Sequence, residues 1–446
     1  MAEPFVFPAS PQQVGLWGLH RRNPGLFAYD LGIELVFDGE LDAPVLERAL
    51  NEIVRRHEPL RTTFAERDGE VLQVVAPALA MPLPLTDLSG RPEPEREAAV
   101  GELELRDATT PGDLERGPLL RARLVRTAPD RHVLILVVNH MVFDGHSMTV
   151  FMREMCALYG AFAAGLPSPL PALPIQYVDY CAWQRRRLAG PATAPQLAYW
   201  RRRLAGTPGV HLPVDRPWPA APGFVGGRLS FDLSRELVAG LEAVARAEGA
   251  STYMVLVAGL VALLHRTSGQ TDVAIRSPVT GRGRPELEPL IGFFVNRVVL
   301  RTDVSGDPAY RVLLAQVKQV VMEAFANQDA PFEQLLQELP PAPDGPPPFQ
   351  VGLNLMTVRQ GRPDGDLPFR LSGHQFDNGT AKFPLTLEVS WTPSRVLAVL
   401  EYSGALFDLS TVERLRDDLL GVLARAVADP GRRLSELGVR GGRVVA

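Results

Sequence analysis

The sequence has 446 residues, of which 46% are hydrophobic and 22% charged, and its formal net charge is −5. This length exceeds what one core ordinarily holds, so two domains or lobes are expected, and the composition excludes a disordered chain. The charges are spread without a basic stripe, which argues against nucleic acid or a membrane surface as a partner. Cys156 and Cys181 suggest neither a disulfide framework nor a metal site, and they favour a reducing, cytoplasmic compartment.

Strands and helices are predicted to alternate in the first half of the chain. Residues 31–37 alternate with a period of two, which predicts a strand, and Asp42 is placed to cap the helix that follows. The valine-rich run 133–138 is typical of a strand buried on both faces. A helix is predicted over residues 147–162.

The second half repeats this mixture after a proline- and glycine-rich crossing at residues 206–226. Strands are predicted at 227–233, 272–277, 349–356, 385–390 and 396–402. Helices are predicted at 235–248, 252–266, 308–326 and 409–428. Residues 340–348 form a predicted proline-rich loop, and the apolar run 253–264 is too short to cross a bilayer and predicts a buried helix. The predicted class is therefore α/β (α+β), with lobes at residues 1–190 and 191–446.

A candidate reactive side chain follows the predicted buried strand, in residues 139–145 (Asn-His-Met-Val-Phe-Asp-Gly). His140 lies at the end of the rigid strand, and Gly145 permits a tight turn. A neutral histidine accepts a proton from an attacking amine or hydroxyl, or it orients and stabilises a charged tetrahedral intermediate. HxxxDG is a short motif, so a structural histidine beside an ordinary turn is an equal alternative at this point.

The wider sequence contains six motifs in a fixed order. They occupy residues 10–17, 56–64, 139–145, 177–183, 291–296 and 327–333. On these motifs the chain resembles the condensation domains of nonribosomal peptide synthetases, within the chloramphenicol acetyltransferase-like superfamily, over nearly its whole length. The third motif, HHxxxDG, has Asn139 in place of its first histidine. Asparagine forms hydrogen bonds but does not titrate, so the change is mild if that histidine is structural and serious if it tunes His140.

The resemblance implies two chloramphenicol acetyltransferase-like lobes in a V-shaped pseudo-dimer, with the active site at their junction. His140 is the implied catalytic residue, supported by Asn139, Asp144, Gly145 and Arg282. Asp144 is expected to pair with Arg282 of the opposite lobe and so to act as scaffold. The amide of Gly145 faces the oxyanion, or the glycine merely forms a turn.

Three further residues have two interpretations each. Asn354 is expected near the substrate tunnel, where it orients a substrate or makes a hydrogen bond within the fold. Ser147 is a second tunnel candidate, although capping of the following helix is the simpler prediction. His57, beside Arg56 and Arg61, is expected to be structural in the family and not part of the chemistry.

The implied activity is that of an acyltransferase. It moves an acyl or aminoacyl group from the phosphopantetheine thioester of a peptidyl carrier protein to a small amine or alcohol. The amide or ester so formed belongs to natural-product or antibiotic biosynthesis. No bound cofactor and no metal are expected, because the thioester supplies the driving force and no cluster has metal-ligand spacing.

The chain is further expected to be monomeric and free-standing, since no adenylation or carrier segment is recognisable in it. Three alternatives remain. A coenzyme A-dependent acyltransferase of the same superfamily is one, although the late DFGWG motif of the plant-type enzymes is not found. An epimerase-type relative is disfavoured by the fifth and sixth motifs. An inactive condensation-like module that binds a partner protein is the third, and Asn139 keeps it open.

Overall fold

The computed structural model describes residues 3–219, 223–338, 348–357 and 367–438. The chain divides into two compact units by its internal contacts. Unit 1 comprises Met1–Ala192, Thr280–Val295 and Gly361–Asn378. Unit 2 comprises Thr193–Val279, Asn296–Gln360 and Gly379–Ala446. Two segments from the second half of the chain therefore belong to unit 1.

The elements of the first part of the chain all belong to unit 1. In chain order they are β1 (Phe5–Pro8), α1 (Pro11–Arg22), β2 (Asp30–Gly39), α2 (Ala43–Arg56), β3 (Thr62–Arg67), β4 (Glu70–Val75), β5 (Leu85–Asp87), α3 (Glu93–Thr109), β6 (Leu120–Ala128), β7 (Arg131–Asn139), α4 (Gly145–Ala163) and α5 (Tyr177–Ala189).

The remaining elements belong to unit 2, with the exception of β12. In chain order they are α6 (Ala194–Leu204), β8 (Gly226–Asp232), α7 (Arg235–Ala247), α8 (Thr252–Ser268), β9 (Asp272–Val279), β10 (Asn296–Asp303), α9 (Tyr310–Ala326), α10 (Phe332–Glu338), β11 (Val351–Thr357), β12 (Phe369–Gln375), β13 (Leu385–Trp391), β14 (Val396–Ser403) and α11 (Leu409–Ala428).

Unit 1 is built on a five-stranded sheet in the order β12-β2-β7-β6-β5, beside a three-stranded sheet β1-β4-β3. All neighbours in the larger sheet are antiparallel apart from β5 and β6. Helix α3 packs Val100 and Ala108 on Val133, Ile135 and Val137 of the central strand β7. Burial on both faces explains why β7 is an almost uninterrupted apolar run.

Unit 2 is built on a six-stranded sheet in the order β10-β9-β11-β13-β14-β8. Strand β11 is parallel to both of its neighbours, and the other pairs are antiparallel. Helix α8 is buried from Val255 to Leu264 and contacts α7, α9 and α11. Its burial on all sides explains why its sequence is apolar around the whole circumference.

The strands and helices predicted with stated bounds are all confirmed within two residues at either end. Asp42 caps α2, its side chain accepting a hydrogen bond from the Val45 amide, and the apolar run 253–264 lies inside α8. The predicted loop 340–348 falls outside the described residues except for its last residue. Among the described residues, no single helix is long and apolar enough to span a membrane. The consecutive pair α7 and α8 passes that test only when joined, across a bend of 106°.

Candidate active site

The turn between β7 and α4 carries the candidate catalytic histidine. Strand β7 ends at Asn139, and His140 donates its main-chain N–H to the Tyr29 carbonyl at 2.8 Å. The Val142 amide donates to the Asn139 carbonyl at 3.1 Å and so closes the turn. Met141, Val142 and Phe143 are buried, whereas His140 is half-buried. The apolar residues of the motif therefore anchor the turn and leave the imidazole at a partly accessible position.

The His140 imidazole is oriented by its own turn. Its Nδ1 lies 2.7 Å from the carbonyl oxygen of Phe143. A carbonyl only accepts hydrogen bonds, so Nδ1 carries the hydrogen and the lone pair of the neutral ring lies on Nε2. The Phe293 ring packs against the imidazole with centroids 4.9 Å apart, and the Tyr29 ring lies at 6.4 Å. The geometry thus selects the tautomer in which Nε2 is the basic atom.

Asn139, the residue that departs from the family motif, is buried and bonded on both sides of its amide. Its Nδ2 donates to Oδ1 of Asp30 at 2.8 Å, and its Oδ1 accepts from the Met141 amide at 3.0 Å. The Gly112 amide donates to the other oxygen of Asp30 at 3.3 Å. Burial raises the pKa of Asp30, against the opposing effects of the Asn139 hydrogen bond and the charge of Arg121. Asp30 was not identified from the sequence; the available signal is an acid at the start of a mainly apolar strand.

Asp144 is completely buried and has four hydrogen-bond partners. Its Oδ1 accepts from the Ser147 amide at 2.8 Å, from the Ser147 hydroxyl at 2.7 Å and from Arg282 Nη2 at 3.1 Å. Its Oδ2 accepts from the Phe294 amide at 3.0 Å. Both carboxylate oxygens are therefore used within the fold, which is the arrangement of a structural aspartate.

The Arg282 guanidinium is as buried as the carboxylate it pairs with. It donates through Nη1 to the carbonyls of Leu287 and Leu290, and it stacks on the Phe294 ring at 3.9 Å. Because Thr280–Val295 belongs to unit 1, the pair with Asp144 lies within that unit. We expected this pair to join two opposite lobes, but in the structure both of its residues belong to the same compact unit.

Ser147 does not cap α4, contrary to the simpler prediction. The helix begins at Gly145, two residues earlier than predicted, and its N-cap residue is Asp144. The Ser147 hydroxyl instead accepts from the Gly292 amide at 3.0 Å and lies 3.2 Å from Arg282 Nη2. An Asp-Gly pair predicts a turn, but aspartate is also among the best N-cap residues, and here it takes that role.

Residues of the fifth family motif, and Gly281 before it, also make close contacts around this network. Gly281 has a φ of +66°, and a Cβ there would lie 2.1 Å from the Phe294 carbonyl oxygen. At Gly292 a Cβ would lie 2.4 Å from the Tyr177 ring. The Tyr177 hydroxyl donates to the Phe293 carbonyl at 2.7 Å and so holds the residue whose ring packs on His140. Glycine at these two positions permits the close approach of the loop to its neighbours.

His57 is buried and both of its ring nitrogens have hydrogen-bond partners. Its Nε2 lies 2.9 Å from the Glu154 carboxylate, and its Nδ1 accepts from the Ile291 amide at 3.3 Å. Arg56 forms a second ion pair with Glu154 at 3.1 Å. Burial alone would raise the pKa of Glu154, but the hydrogen bonds and charges of His57 and Arg56 outweigh it and lower the pKa. The second motif therefore joins α2, α4 and the fifth-motif loop.

The first motif contributes a contact that sequence reasoning missed. Gln13 in α1 is fully buried, and its Nε2 donates to the Met141 carbonyl at 2.9 Å and to Gln73 at 3.2 Å. Its Oε1 accepts from the Ser10 amide, completing a capping box. A glutamine in the first turn of a helix suggests only the capping role. The contact of the Gln13 side chain with the active-site turn depends on packing between segments that are far apart in the sequence.

The remaining candidates are less tightly held. Gly145 is exposed at the start of α4. His146 is half-buried, with Nε2 3.3 Å from the Glu288 carboxylate. Asn354 lies in unit 2, on β11, half-buried and opposite Glu388 of β13. No group of three or more side chains suited to a metal ion is found within the described ranges.

The sixth motif is tied to the fifth within unit 2. Asn296, the last residue of the fifth motif, donates through Nδ2 to the carbonyls of Gln328 and Ala330, each at 2.7 Å. Its Oδ1 accepts from the Phe332 amide at 3.2 Å. The Trp200 indole donates to the Asn327 carbonyl at 2.8 Å. These hydrogen bonds give the motif residues a structural role and indicate no catalytic one.

Comparison with known proteins identifies one family over most of the chain. The model of the Condensation domain matches residues 5–440. Chondramide synthase cmdD of Chondromyces crocatus is 42% identical over 435 residues, covering 97% of this chain and 11% of that protein. A linear gramicidin synthase from Brevibacillus parabrevis is 42% identical over 430 residues, covering 95% of this chain and 6% of that protein. The chain thus spans about a tenth or less of these two relatives.

Solved structures of similar proteins match along their whole length. The X-domain from teicoplanin biosynthesis has a TM-score of 0.86 and 29% identity, with coverage of 98% of this chain and 99% of that one. The X-domain solved in complex with OxyB has a TM-score of 0.85 and 30% identity, with coverage of 99% and 98%. SgcC5 from Streptomyces globisporus has a TM-score of 0.83 and 27% identity, with coverage of 96% and 100%. The predicted mixed α/β fold is confirmed by these matches.

Proposed function

This chain belongs to the condensation-domain family of nonribosomal peptide synthetases, and on that basis we propose that it is an active acyltransferase. Its donor is an acyl or aminoacyl thioester on the phosphopantetheine arm of a carrier protein, and its acceptor is an amine or alcohol. The observation that carries the proposal is the bond from His140 Nδ1–H to the Phe143 carbonyl, which leaves Nε2 as the basic atom.

The proposed reaction forms one bond and breaks one. The acceptor nitrogen or oxygen attacks the thioester carbonyl carbon while Nε2 of His140 accepts its proton. The tetrahedral intermediate collapses, the carbon–sulfur bond breaks, and the thiolate recovers the proton from the imidazolium. An amide or an ester forms, and the thioester supplies the driving force, so no bound cofactor is required.

The Phe143 carbonyl has a second part in this scheme. It continues to accept from Nδ1 when the ring becomes positively charged, and hydrogen bonds to charged donors are stronger than those to neutral ones. The contact therefore favours the imidazolium that exists during the transfer. Asp144 and Arg282 act in this proposal as scaffold for the start of α4, because every oxygen of the carboxylate is already bonded within the fold.

A second candidate function is a module that binds a partner protein without transferring an acyl group. Two observations favour it: Asn139 replaces the first histidine of the motif, and an X-domain similar to this chain has been solved in complex with OxyB. The intact tautomer geometry of His140 argues for the active enzyme, because a module selected only for binding has no need of a histidine held in this way.

The test uses the purified chain with an acyl-loaded carrier protein and a panel of amines and alcohols, with product detected by mass spectrometry. We expect product from the wild type and a loss of about 100- to 10,000-fold in His140→Ala, the range of a general base. His374→Ala is the matched control, because His374 is exposed and pairs only loosely with Glu34, at 3.5 Å. Its rate should equal that of the wild type, and thermal unfolding should be the same for all three proteins.

Two results would redirect the proposal. If the wild type binds the loaded carrier or another partner but releases no product from any acceptor, the binding-module function is correct. If free acyl-coenzyme A is used as efficiently as the carrier-bound donor, the chain is a coenzyme A-dependent acyltransferase.

A further inference from the structure

Asp30 and Asn139 form a buried pair directly behind the active-site turn. The two residues are register partners on β2 and β7 and are 3% and 2% exposed. The side chains of the pair take part in three hydrogen bonds: Asn139 Nδ2 donates to Asp30, the Met141 amide donates to Asn139 Oδ1, and the Gly112 amide donates to Asp30. No part of the proposed chemistry uses either side chain.

The polarity of these groups allows the Asn139 amide only one orientation. An ionised carboxylate can only accept, so Nδ2 must face Asp30, and a main-chain N–H can only donate, so Oδ1 must face Met141. Turning the amide over would place an N–H against an N–H on one side and an oxygen against an oxygen on the other. The carboxylate therefore determines which way the amide points, and the amide holds the main chain on the far side of His140.

The same two segments hold His140 itself. Tyr29, the residue before Asp30, accepts the main-chain N–H of His140, and the Asn139 carbonyl accepts the Val142 amide. These bonds bracket the short turn that brings the Phe143 carbonyl to His140 Nδ1. We propose that Asp30 is a positioning residue for His140, acting through the Asn139 amide to hold the turn that fixes the imidazole. The expected effect of Asp30 on kcat rests on the proposed function, whereas its effect on the geometry of the turn does not.

Each single exchange within the pair creates a conflict that can be stated atom by atom. Asp30→Asn leaves one side-chain oxygen at position 30 for two donors, so its NH₂ group faces either the NH₂ group of Asn139 or the Gly112 amide. Asn139→Asp places two buried carboxyls about 2.8 Å apart, so that one must stay protonated. The positive charge of Arg121 also acts on Asp30.

The double exchange Asp30→Asn with Asn139→Asp removes the conflict. The new amide at position 30 donates to the new carboxylate at position 139, which still accepts from the Met141 amide. The amide oxygen at position 30 accepts from the Gly112 amide. All three hydrogen bonds are restored; only the one between positions 30 and 139 reverses its direction, and the number of charges is unchanged.

The experiment compares the wild type, both single variants and the double variant. Each single variant should lose on the order of 10- to 100-fold in kcat, because small displacements of a catalytic group have effects of that size. KM should change little, and the double variant should recover most of the lost kcat. Asp38→Asn is the matched control: Asp38 pairs with Arg131 at the other end of the same two strands, where both side chains are about half exposed.

A second readout does not require any transfer activity. The Nδ1–H resonance of His140 in proton–nitrogen spectra is assigned by its loss in His140→Ala. It should shift or broaden in each single variant and return to its wild-type position in the double variant. If a single variant does not fold, recovery of both the fold and this resonance in the double variant supports the proposal equally well.

Two outcomes would overturn the proposal. In the first, the single variants lose stability but keep the wild-type kcat and His140 resonance, which makes the pair merely structural. In the second, the double variant folds but regains neither kcat nor the resonance. If the wild type shows no transfer at all, the proposed function fails, and the resonance alone then decides whether Asp30 positions His140.

Discussion

Replacing Asp144 with alanine should destabilise unit 1 strongly, and any loss of activity should follow from that. The substitution removes one partner of an ion pair whose side chains are 0% and 1% exposed, and it leaves the Arg282 guanidinium buried without its counter-charge. Breaking a buried pair in this way costs about 3–5 kcal/mol. The N-cap of α4 is lost with the same carboxylate, so its contribution is included in this figure and not added to it.

The expected cost is a large part of the total stability of an ordinary domain, about 5–15 kcal/mol. In urea titrations followed by circular dichroism, the unfolding midpoint of unit 1 should fall by on the order of 1–2 M. Arg282→Ala should also destabilise, and the double variant should lose less than the sum of the two, because each single change already breaks the pair. Glu115→Ala is the control: its partner Arg21 lies at 3.9 Å with side chains 64% and 60% exposed, and such pairs contribute at most about 1 kcal/mol.

One result would refute this reasoning. If Asp144→Ala retains a wild-type unfolding midpoint but has no transfer activity under conditions where it is folded, the carboxylate takes part in the chemistry. The assignment of Asp144 to the scaffold would then be wrong, whatever the number of its hydrogen bonds.

Three other predictions follow from contacts described above or from neighbouring charges. Gly292→Ala should lower stability by about 1–3 kcal/mol in denaturant titrations, because the new methyl meets the Tyr177 ring in a filled core. Burial and the neighbouring Glu34 raise the pKa of Glu104 from 4.5 to about 8. The folded state therefore binds this proton more tightly, stability falls as the pH rises through that window, and Glu104→Gln should flatten this slope in midpoints measured from pH 4.5 to 8.5. Asn296→Ala should destabilise unit 2 by about 1–3 kcal/mol and speed hydrogen exchange in the sixth motif, because two carbonyls lose their donor.

Local features of the fold are predictable from sequence because they depend on neighbouring residues. The cap at Asp42, the buried strand β7 and the apolar helix α8 all follow from periodicity or from residue chemistry within a few positions. The predicted start of α4 is two residues late because Asp-Gly is both a turn signal and an N-cap signal. Local sequence does not decide between the two; in the structure the Asp144 carboxylate accepts from the Ser147 amide, which makes Asp144 the N-cap.

The contacts of the site can be predicted only where the resemblance to the family implies them. The pairing of Asp144 with Arg282 joins residues 138 positions apart and follows from the resemblance alone. Asp30 and Gln13 escape prediction, because their roles depend on strand register and helix packing that no local pattern encodes. An acid at the head of a mainly apolar strand is the available signal for Asp30, and it justifies a search for a buried partner.

The two late segments of unit 1 bear on how the chain folds as it is synthesised. Strand β12, in Gly361–Asn378, covers the edge of β2, and Thr280–Val295 brings the counter-charge of Asp144. At 5–20 residues per second, the ribosome needs roughly 10–40 s between Ala192 and the end of the last segment. Until Thr280–Val295 is made, the first 192 residues have a buried acid without its arginine. Until Gly361–Asn378 is made, they have an open strand edge, and open edges invite pairing with other chains. A gene fragment cut after unit 1's first segment should therefore yield aggregating protein, whereas one ending beyond residue 378 has every strand of that sheet.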